Sequence, residues 1–445
     1  MRRAKSDARD DRICDLVIVG AGAKAAAVCA RLRALEGSEE IVGNLSVLVV
    51  DRENCWAGNW SGAHGHTRPR ALLATPPDRD VGFPYEEKQE QVRNQLLSFS
   101  WRAFLAEQKR LRSWVQKGQQ HPAVEEWAAY LAWVGGRVSG RPRVTPGVDI
   151  EVALGHTVRA RGIDFDLQAA RWSLDFRAPY NGQKRYAKHL MLTGPGRPRT
   201  LNISVPQSGT GMKHVWDSRD MYTRSADVSR LRSKASDANI VIVGGGGAAA
   251  EAALHSAESW PEARITIVST SPTLWTRGNS PYEWELSANP RLWATLAAEQ
   301  RRTYLERFSM GAIAPLVMER LSQLANLSYE TGDVTTISPM SDRVRVTIRV
   351  PWKTKTIDAD VVFQCLGYDG TAVFELLSAR AKAALPTGGV TDLPKHLDAG
   401  LGVKLAGVSN RLIWPGGAAE RYGPGLTDLT LLGEMSRRTL NHLQI

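Results

Sequence analysis

The chain has 445 residues, of which 43% are hydrophobic and 23% charged, and its formal net charge is +11. That length is enough for two or three domains with their own cores. The longest apolar runs are no longer than a strand, so no membrane-spanning helix is expected. The start, MRRAKSDARDD, lacks the apolar core of a signal peptide, and we expect residues 1–12 to form a disordered tail.

The four cysteines are far apart and include no CxxC pair. This spacing argues against a disulfide scaffold or a zinc site, and it fits a reducing cytoplasm. The positive charge raises the question of a nucleic-acid partner, but the basic residues are spread along the chain without a recognition module. We therefore expect neither nucleic acid nor a membrane as partner, and part of the charge can serve anionic cofactors.

A strand followed by a glycine-rich turn opens the chain. Four apolar residues, Leu16–Val19, run into Gly20, Gly22 and the small residue Ala25. Gly20 permits the tight turn, Gly22 lets the backbone approach a pyrophosphate, and Ala25 lets the following helix pack on the strand. The N-terminus of that helix then faces the negative charge of a dinucleotide.

The next predicted strand, Ser46–Val50, ends at Asp51. A carboxylate at that position accepts hydrogen bonds from the ribose hydroxyls of an adenine dinucleotide. Its distance from Gly22 exceeds the usual spacing of about 20 residues, and the predicted loop Gly37–Asn44 absorbs the excess. The first site is therefore predicted to take FAD or NAD.

The loop after Asp51 is rich in Gly, Trp and Asn. We predict that Trp56, Asn59 and Trp60 pack on the cofactor, with simple filling of the loop as the alternative. The pair His64 and His66 has no third ligand at metal spacing nearby, so no metal is expected there.

A strand followed by a glycine-rich turn occurs a second time in the chain. Asn239–Val243 leads into Gly244, Gly246 and Ala249. The alternative is that only the first site is real and that this second run of glycines binds nothing.

The strand after this second turn, Ile265–Val268, ends in Ser269 and Thr270, with Arg277 a little beyond and no acid. Hydroxyls and an arginine accept a ribose 2′-phosphate, which a carboxylate would repel. The second site is therefore predicted to take an NADP-type dinucleotide.

Both halves of the chain follow one plan: a nucleotide turn, helices, antiparallel strands, and a strand that ends in a small-residue turn. In the first half, the helices fall in Glu86–Val134, where aromatic residues at helical spacing favour core positions over a cofactor site. Near the C-terminus a glycine-rich loop precedes an apolar stretch, with Thr427 as the predicted N-cap of a helix. The plan predicts an α/β fold with two Rossmann-like dinucleotide-binding domains and a smaller helical substrate-binding part.

These motifs together resemble the flavin-dependent amine N-hydroxylases of siderophore biosynthesis, the lysine N6- and ornithine N5-monooxygenases, and above all the mycobactin-type lysine enzyme. The resemblance covers nearly the whole chain. Besides the paired GxGxxA turns and the opening GAGAKAAAV, it rests on four segments: LATPPDRDVGFPY (Leu73–Tyr85), SWRAFL (Ser100–Leu105), YLAWV (Tyr130–Val134) and GLTD (Gly425–Asp428).

The resemblance implies FAD at the first site and NADPH at the second. NADPH would reduce the flavin, O2 would add to it as a C4a-hydroperoxide, and the distal oxygen would pass to the side-chain amine of lysine, ornithine or arginine. No protein nucleophile is needed. The implied domains are an FAD-binding domain of residues 13–235 and 350–445 and an NADPH-binding domain of residues 236–349. The family also implies a homo-oligomer.

The resemblance also assigns residues to each site. The implied FAD-binding residues are Gly20, Gly22, Ala25 and Asp51. From their places in loops, Trp56, Asn59, Trp60, Gly425, Leu426 and Thr427 are further candidate cofactor-binding residues, with a plain surface loop as the alternative for the last three. The implied NADPH-binding residues are Gly244, Gly246, Ser269, Thr270 and Arg277. Arg79 stands where the family binds the substrate carboxylate with a lysine, and Trp284 stands near the position of a family asparagine at the substrate. The family's Asn-Tyr pair near the nicotinamide is replaced by the sequence around Arg307.

Three alternative functions follow from the same sequence. A Baeyer–Villiger or flavin-containing monooxygenase would carry FxGxxxHxxxW between its two sites, and Gly209–Trp216 has no such phenylalanine and a different spacing. A dithiol reductase needs a redox cysteine pair, which Cys14 and Cys29 cannot form across the first nucleotide turn. A degenerate relative would bind nucleotides without turnover.

Overall fold

The computed structural model describes residues 13–41, 43–60, 68, 70–139, 146–177, 184–203, 214–218, 220, 238–278, 280–308, 311–405, 407–441 and 443. The tail predicted for residues 1–12 and the pair His64 and His66 lie outside these residues. The described chain forms two large sheets, one mixed and one parallel, together with a three-stranded antiparallel sheet and two short strand pairs. The predicted α/β fold class is confirmed.

The strands alternate with helices along much of the chain. In order, they are β1 (Ile13–Val19), β2 (Asn44–Asp51), β3 (Gly147–Leu154), β4 (Val158–Asp166), β5 (Arg171–Phe176), β6 (Lys184–Leu192), β7 (Arg197–Pro198), β8 (Val215–Asp217), β9 (Asn239–Val243), β10 (Arg264–Ser269), β11 (Trp275–Thr276), β12 (Ala312–Ile313), β13 (Leu327–Thr331), β14 (Asp333–Pro339), β15 (Val344–Val350), β16 (Lys353–Ala359), β17 (Val361–Gln364), β18 (Tyr368–Asp369), β19 (Gly402–Lys404) and β20 (Arg411–Ile413).

The helices of the described residues are mostly short. In order, they are α1 (Ala23–Gly37), α2 (Glu90–Leu97), α3 (Trp101–Glu107), α4 (Leu111–Gln116), α5 (Val124–Val138), α6 (Gly247–Ser259), α7 (Pro281–Ala288), α8 (Pro290–Ala294), α9 (Ala298–Phe308), α10 (Pro315–Ser322), α11 (Ala379–Ala383), α12 (Gly389–His396), α13 (Ala419–Tyr422) and α14 (Leu432–Asn441). Short 3-10 turns lie at Gly58–Trp60, Gly370–Leu376, Pro415–Gly417 and Pro424–Leu426.

The first sheet has the order β19-β20-β6-β1-β2-β3, with β5 and β4 added in antiparallel fashion beyond β6. In its centre, Val17 of β1 lies opposite Leu48 of β2 and Leu190 of β6, all in parallel register. These three side chains are almost completely buried. Strands buried on both faces are typical of parallel sheets whose connecting helices cover them. The alanine-rich helix α1 packs on this sheet, and its Ala25 is fully buried, as predicted.

The second sheet is parallel throughout, in the order β13-β10-β9-β17-β8. Successive side chains of β9 point to opposite faces of the sheet, because side chains alternate along a strand. Ile240 and Ile242 pack with α6 and α10, whereas Val241 and Val243 pack with the antiparallel strands β14, β15 and β16. The second glycine turn therefore has the same position as the first, between a central strand and its helix.

The strand pairing of the second sheet extends beyond the bounds predicted for the NADPH-binding domain. The second sheet includes β8 and β17, which lie on either side of the predicted segment 236–349. Parallel neighbours need long connections, so strands distant in sequence can complete one sheet. The unit built on the second sheet therefore takes strands from both flanks of that segment.

Helices α2 to α5 hold the cluster of aromatic side chains that the sequence places in the core. Trp127 of α5 has its ring centroid 5.0 Å from that of Tyr130 and 6.2 Å from that of Trp101. All three side chains are 1% exposed or less, and the Tyr130 hydroxyl donates to the carbonyl of Phe99 at 2.8 Å. The aromatic spacing in this segment therefore serves core packing.

Replacing Trp127 with alanine tests this cluster. We expect the free energy of unfolding to fall by about 3–5 kcal/mol, because the change leaves a large cavity among packed rings. Urea denaturation of the apoprotein measures it. Trp352, 92% exposed in the turn between β15 and β16, gives a matched control, for which Trp352→Ala should cost less than about 0.5 kcal/mol. Equal losses in both variants would contradict the packing described.

Candidate functional site

The first glycine turn leaves its backbone open on the side that a ligand would approach. Gly20 has φ of +109°, and a Cβ there would lie 2.2 Å from Thr193 Oγ1 at the end of β6, so only glycine fits. A Cβ on Gly22 would meet no atom within 4 Å. Gly22 is also the N-cap of α1, and no side chain caps that helix. The first N–H groups of α1 are therefore available to an anion beside Gly22.

Asp51, at the end of β2, both closes the turn and faces the ligand space. Its Oδ2 accepts the N–H of Ala21 at 2.6 Å, and its Oδ1 accepts the N–H of Glu53 at 2.9 Å. Burial raises the pKa of Asp51, and these two hydrogen bonds oppose that shift. Each carboxylate oxygen has a second lone pair, which leaves an acceptor for a ribose hydroxyl.

A cavity of about 540 Å³ extends from this turn to the other half of the chain. Gly20, Gly22 and Asp51 line it from the first sheet. Thr193 and Gly194, the small-residue turn directly after β6, also line it, and so do Lys24, Trp60, Gly247, Glu251, Arg277, Tyr368, Thr427 and Asp428. Both dinucleotide-binding units therefore contribute to one space.

The predicted aromatic residues after β2 divide between core and cavity. Trp60 lines the cavity. Trp56 is 7% exposed and packs against Gly135 of α5, where an added Cβ would come within 2.2 Å of its ring. Trp56 does not line the cavity. Its ring packs in the core, and its contact with a cofactor stays a prediction. The side chain of Asn59 lies outside what the structure describes.

The second glycine turn repeats the geometry of the first with one difference. Gly244 has φ of +133°, and a Cβ there would lie 2.2 Å from the carbonyl oxygen of Cys365. A Cβ on Gly246, however, would lie 3.2 Å from the Cα of Gly311. The backbone of Gly311 therefore lies on the side of Gly246 that a phosphate would approach.

The strand beside this turn ends without an acid, as the sequence indicates. Ser269 Oγ accepts the N–H of Ser271 at 3.2 Å, and Thr270 is exposed. Neither residue lines the large cavity, whereas Arg277 does. The structure thus places Arg277 where the two units meet, and its charge acts on Asp428.

The C-terminal loop reaches the cavity through Thr427 and Asp428. Thr427 does not cap a helix, so that prediction is wrong: its hydroxyl donates to the carbonyl of Pro424 at 2.8 Å within a 3-10 turn, and α14 begins only at Leu432. Gly425 and Leu426 are buried in the same turn and do not line the cavity. The carboxylate of Asp428 accepts the N–H of Thr430 at 2.7 Å.

The two predicted substrate residues, Arg79 and Trp284, are in direct contact. The guanidinium carbon of Arg79 lies 4.1 Å from the ring centroid of Trp284 and 4.9 Å from that of Phe83. Aromatic faces attract a guanidinium without using its N–H groups. Burial lowers the pKa of Arg79, while the charges of Asp78 and Asp428 act in the opposite direction.

Two hydrogen-bonded networks fix these residues. Trp284 sits on α7, which begins with a capping box between Ser280 and Glu283. On the other side, the carboxylate of Asp80 accepts the Tyr85 hydroxyl at 2.6 Å and the N–H of Trp101 at 2.7 Å. Burial raises the pKa of Asp80 to about 6. The sequence analysis missed this role of Asp80, and its only signal was the position beside Arg79.

Metal sites and membrane-spanning helices are both absent from the described residues. They contain no group of three or more His, Cys, Asp or Glu side chains placed to hold a metal ion. None of the helices in the described ranges is long and apolar enough to cross a membrane.

Comparison with known proteins identifies the family. Residues 92–364 match the model of the L-lysine 6-monooxygenase/L-ornithine 5-monooxygenase family. The chain is 30% identical over 438 residues to the L-lysine N6-monooxygenase MbtG of Mycobacterium sp. (strain MCS), covering 96% of this chain and 94% of that protein.

Solved structures show the same architecture. The lysine monooxygenase NbtG from Nocardia farcinica matches with a TM-score of 0.73 and 26% identity, over 96% of this chain and 100% of that one. The ornithine N-hydroxylase KtzI from Kutzneria sp. 744, solved with reduced FAD, NADP+ and L-ornithine, matches with a TM-score of 0.76 over 97% and 99% of the two chains. Its identity is 17%, so this likeness concerns the fold alone. The chain therefore belongs to the L-lysine 6-monooxygenase/L-ornithine 5-monooxygenase family, as its motifs predicted.

Proposed function

We propose that the protein is an NADPH- and O2-dependent flavin monooxygenase that hydroxylates the side-chain amine of a basic amino acid, with lysine as the first candidate. One observation carries the proposal: Gly22 of the first dinucleotide turn and Gly247 beside the second line the same cavity. Two dinucleotides held by these turns would meet in that space. The 30% identity to a lysine N6-monooxygenase over 96% of the chain supports the amine substrate.

The first turn fits FAD. The open side of Gly22 and the uncapped start of α1 suit a pyrophosphate, and Asp51 suits the ribose. Trp60 and Thr427, which line the cavity further on, would contact the remainder of the molecule. When bound, FAD supplies the redox chemistry by which one oxygen atom of O2 is passed to an amine at the expense of NADPH.

The backbone and side-chain groups around the second turn suit NADPH. It has a glycine-rich backbone, a strand end without an acid, and hydroxyls at Ser269 and Thr270. A phosphate needs the space beside Gly246 that the Gly311 backbone takes up, so we infer that this segment shifts when NADPH binds. Arg277, in the cavity where the units meet, would face the anionic cofactors.

Arg79 is proposed to bind the carboxylate of the amino-acid substrate. Its faces are covered by Trp284 and Phe83, so the N–H groups at its edge remain as donors. A planar guanidinium held in this way favours a bidentate carboxylate. The aromatic faces take the place of the polar side chain that the family resemblance implies at Trp284, and they fix the orientation of Arg79.

We propose that the protein works in the cytoplasm, a reducing compartment in which cysteines stay unpaired. All four cysteines lie in described residues, and no disulfide joins any two of them. Cys29 and Cys365 are buried, and burial raises the pKa of each thiol to about 12. Buried thiols of this kind are inert, which argues against a dithiol mechanism.

The direct test is NADPH-dependent hydroxylamine formation by FAD-loaded protein, with lysine, ornithine and arginine offered separately. We expect hydroxylamine from lysine. NADPH oxidation that yields only peroxide with all three amino acids would mean that the amine is a different one. No NADPH oxidation at all would contradict the proposal and favour a nucleotide-binding relative without turnover.

Replacing Gly22 with leucine should abolish FAD binding. The backbone at Gly22 is in the extended region, with φ of −89°, so a side chain is tolerated by the fold but enters the space for the pyrophosphate. The visible flavin absorbance per protein after loading measures the loss. The control is Gly136→Leu on the exposed side of α5, where a Cβ also meets nothing within 4 Å. Retention of flavin by Gly22→Leu would contradict the site.

Replacing Arg79 with alanine should raise the KM for the amino acid about 10- to 100-fold, because a charge-assisted pair is lost. NADPH oxidation should persist. The KM of Arg79→Lys should lie between those of the natural protein and Arg79→Ala, because lysine keeps the charge but lacks the planar guanidinium. Arg93→Ala, at an exposed pair with Glu90, is the matched control. An unchanged KM in Arg79→Ala would assign that arginine a structural role.

A further inference from the structure

Lys24 is a cation in a position where the local structure disfavours one. It is the second residue of α1, directly after Gly22 and Ala23. The N-terminus of a helix carries partial positive charge, so it stabilises anions and destabilises a lysine. The first turn of α1 contains no acidic residue that could compensate.

Lys24 lines the large cavity next to Gly22. Among the residues that the structure describes, none forms a hydrogen bond or an ion pair with its ammonium group. Burial lowers the pKa of Lys24 to about 8, and the charge of Asp428 opposes that shift. The Lys24 side chain is half-buried. Because a partly desolvated ammonium without a bonded partner is unfavourable, an anionic ligand in the cavity would stabilise it.

The other charged groups that line the cavity have partners of their own or lie too far away. Asp51 accepts two backbone N–H groups, and Glu251 pairs with Arg68 at 3.1 Å. Asp428 is hydrogen-bonded to Thr430, and no ion pair within 4 Å joins it to Lys24. Arg277, the remaining charged group in the lining, is a cation. Within the described part of the chain, no carboxylate therefore contacts the ammonium group of Lys24.

We propose that Lys24 binds the pyrophosphate of FAD, completing the anion site that Gly22 and the start of α1 begin. This inference rests on the proposed function, because it takes FAD as the ligand of the first turn. A phosphate beside the ammonium provides the missing charge partner, and the backbone N–H groups of α1 share it. Bound FAD stabilises the charged form of Lys24, so binding raises its pKa.

This assignment predicts how FAD affinity depends on pH. Below about pH 8, Lys24 is charged in both the free and the bound protein, and the affinity is constant. As pH rises above 8, the free protein loses the proton first, and FAD binding must take it up again. The affinity of the natural protein should therefore fall by up to tenfold per pH unit between pH 8 and the pKa of the bound form.

The experiment measures the dissociation constant of FAD for the full-length apoprotein from pH 7 to 9, by quenching of flavin fluorescence. Lys24→Met should bind FAD about 10- to 100-fold more weakly at pH 7, with no fall above pH 8. Lys24→Arg should restore tight binding and also lose the pH dependence, because arginine stays charged. Lys382→Met, on the exposed face of α11, removes the same charge outside the cavity and should match the natural protein.

Two further measurements separate this role from the alternatives. ADP, which has the pyrophosphate and no flavin ring, should compete for the site with an affinity reduced by the same factor in Lys24→Met. A loss for FAD without a loss for ADP would overturn the assignment to the pyrophosphate. The free energy of unfolding of apo Lys24→Met should be unchanged or higher, since a desolvated charge is removed; a clear decrease would indicate a structural lysine instead.

The outcomes also separate this inference from the proposed function. If the natural protein binds no FAD, the function itself fails and the inference with it. If the natural protein binds FAD and Lys24→Met does so equally well, with the same pH dependence, only the role of Lys24 is overturned.

Discussion

The structure depends on one constraint: a doubly charged pyrophosphate must reach backbone N–H groups with no side chain between them. Gly20 and Gly244 meet it in the same way, each with positive φ and each with the end of the neighbouring strand where a Cβ would stand. In both units the strand is the central one of a parallel sheet and the helix follows at once. The buried sheets fix these turns, and under the proposed function the turns set where the cofactors would bind.

The two units are not equivalent around their shared cavity. The first turn is open at Gly22, whereas Gly311 lies over Gly246 in the second. Arg68 joins the units, because it pairs with Glu251 at 3.1 Å and also with Glu258, both on α6. The two turns therefore differ in how much open space lies beside their second glycine.

Much of this was predictable from the sequence, because glycine turns and the acid after β2 depend on local geometry that residue type reports directly. The contact of Arg79 with Trp284 could not be predicted, since these residues are far apart in the chain and only the fold joins them. The packing of Trp56 against Gly135 could not be predicted either, because a loop position does not indicate which way an indole packs. Thr427 is a residue type that favours N-caps, but here the chain continues through a tight turn.

In the proposed function, FAD occupies the first turn with its pyrophosphate on the start of α1. A crystal structure of the FAD-loaded protein at pH 7 tests this most directly. We predict pyrophosphate oxygens within hydrogen-bonding distance of the first N–H groups of α1, beside Gly22, and the ammonium of Lys24 turned toward them. A flavin dinucleotide bound elsewhere, or a pyrophosphate that leaves this turn empty, would contradict the central claim.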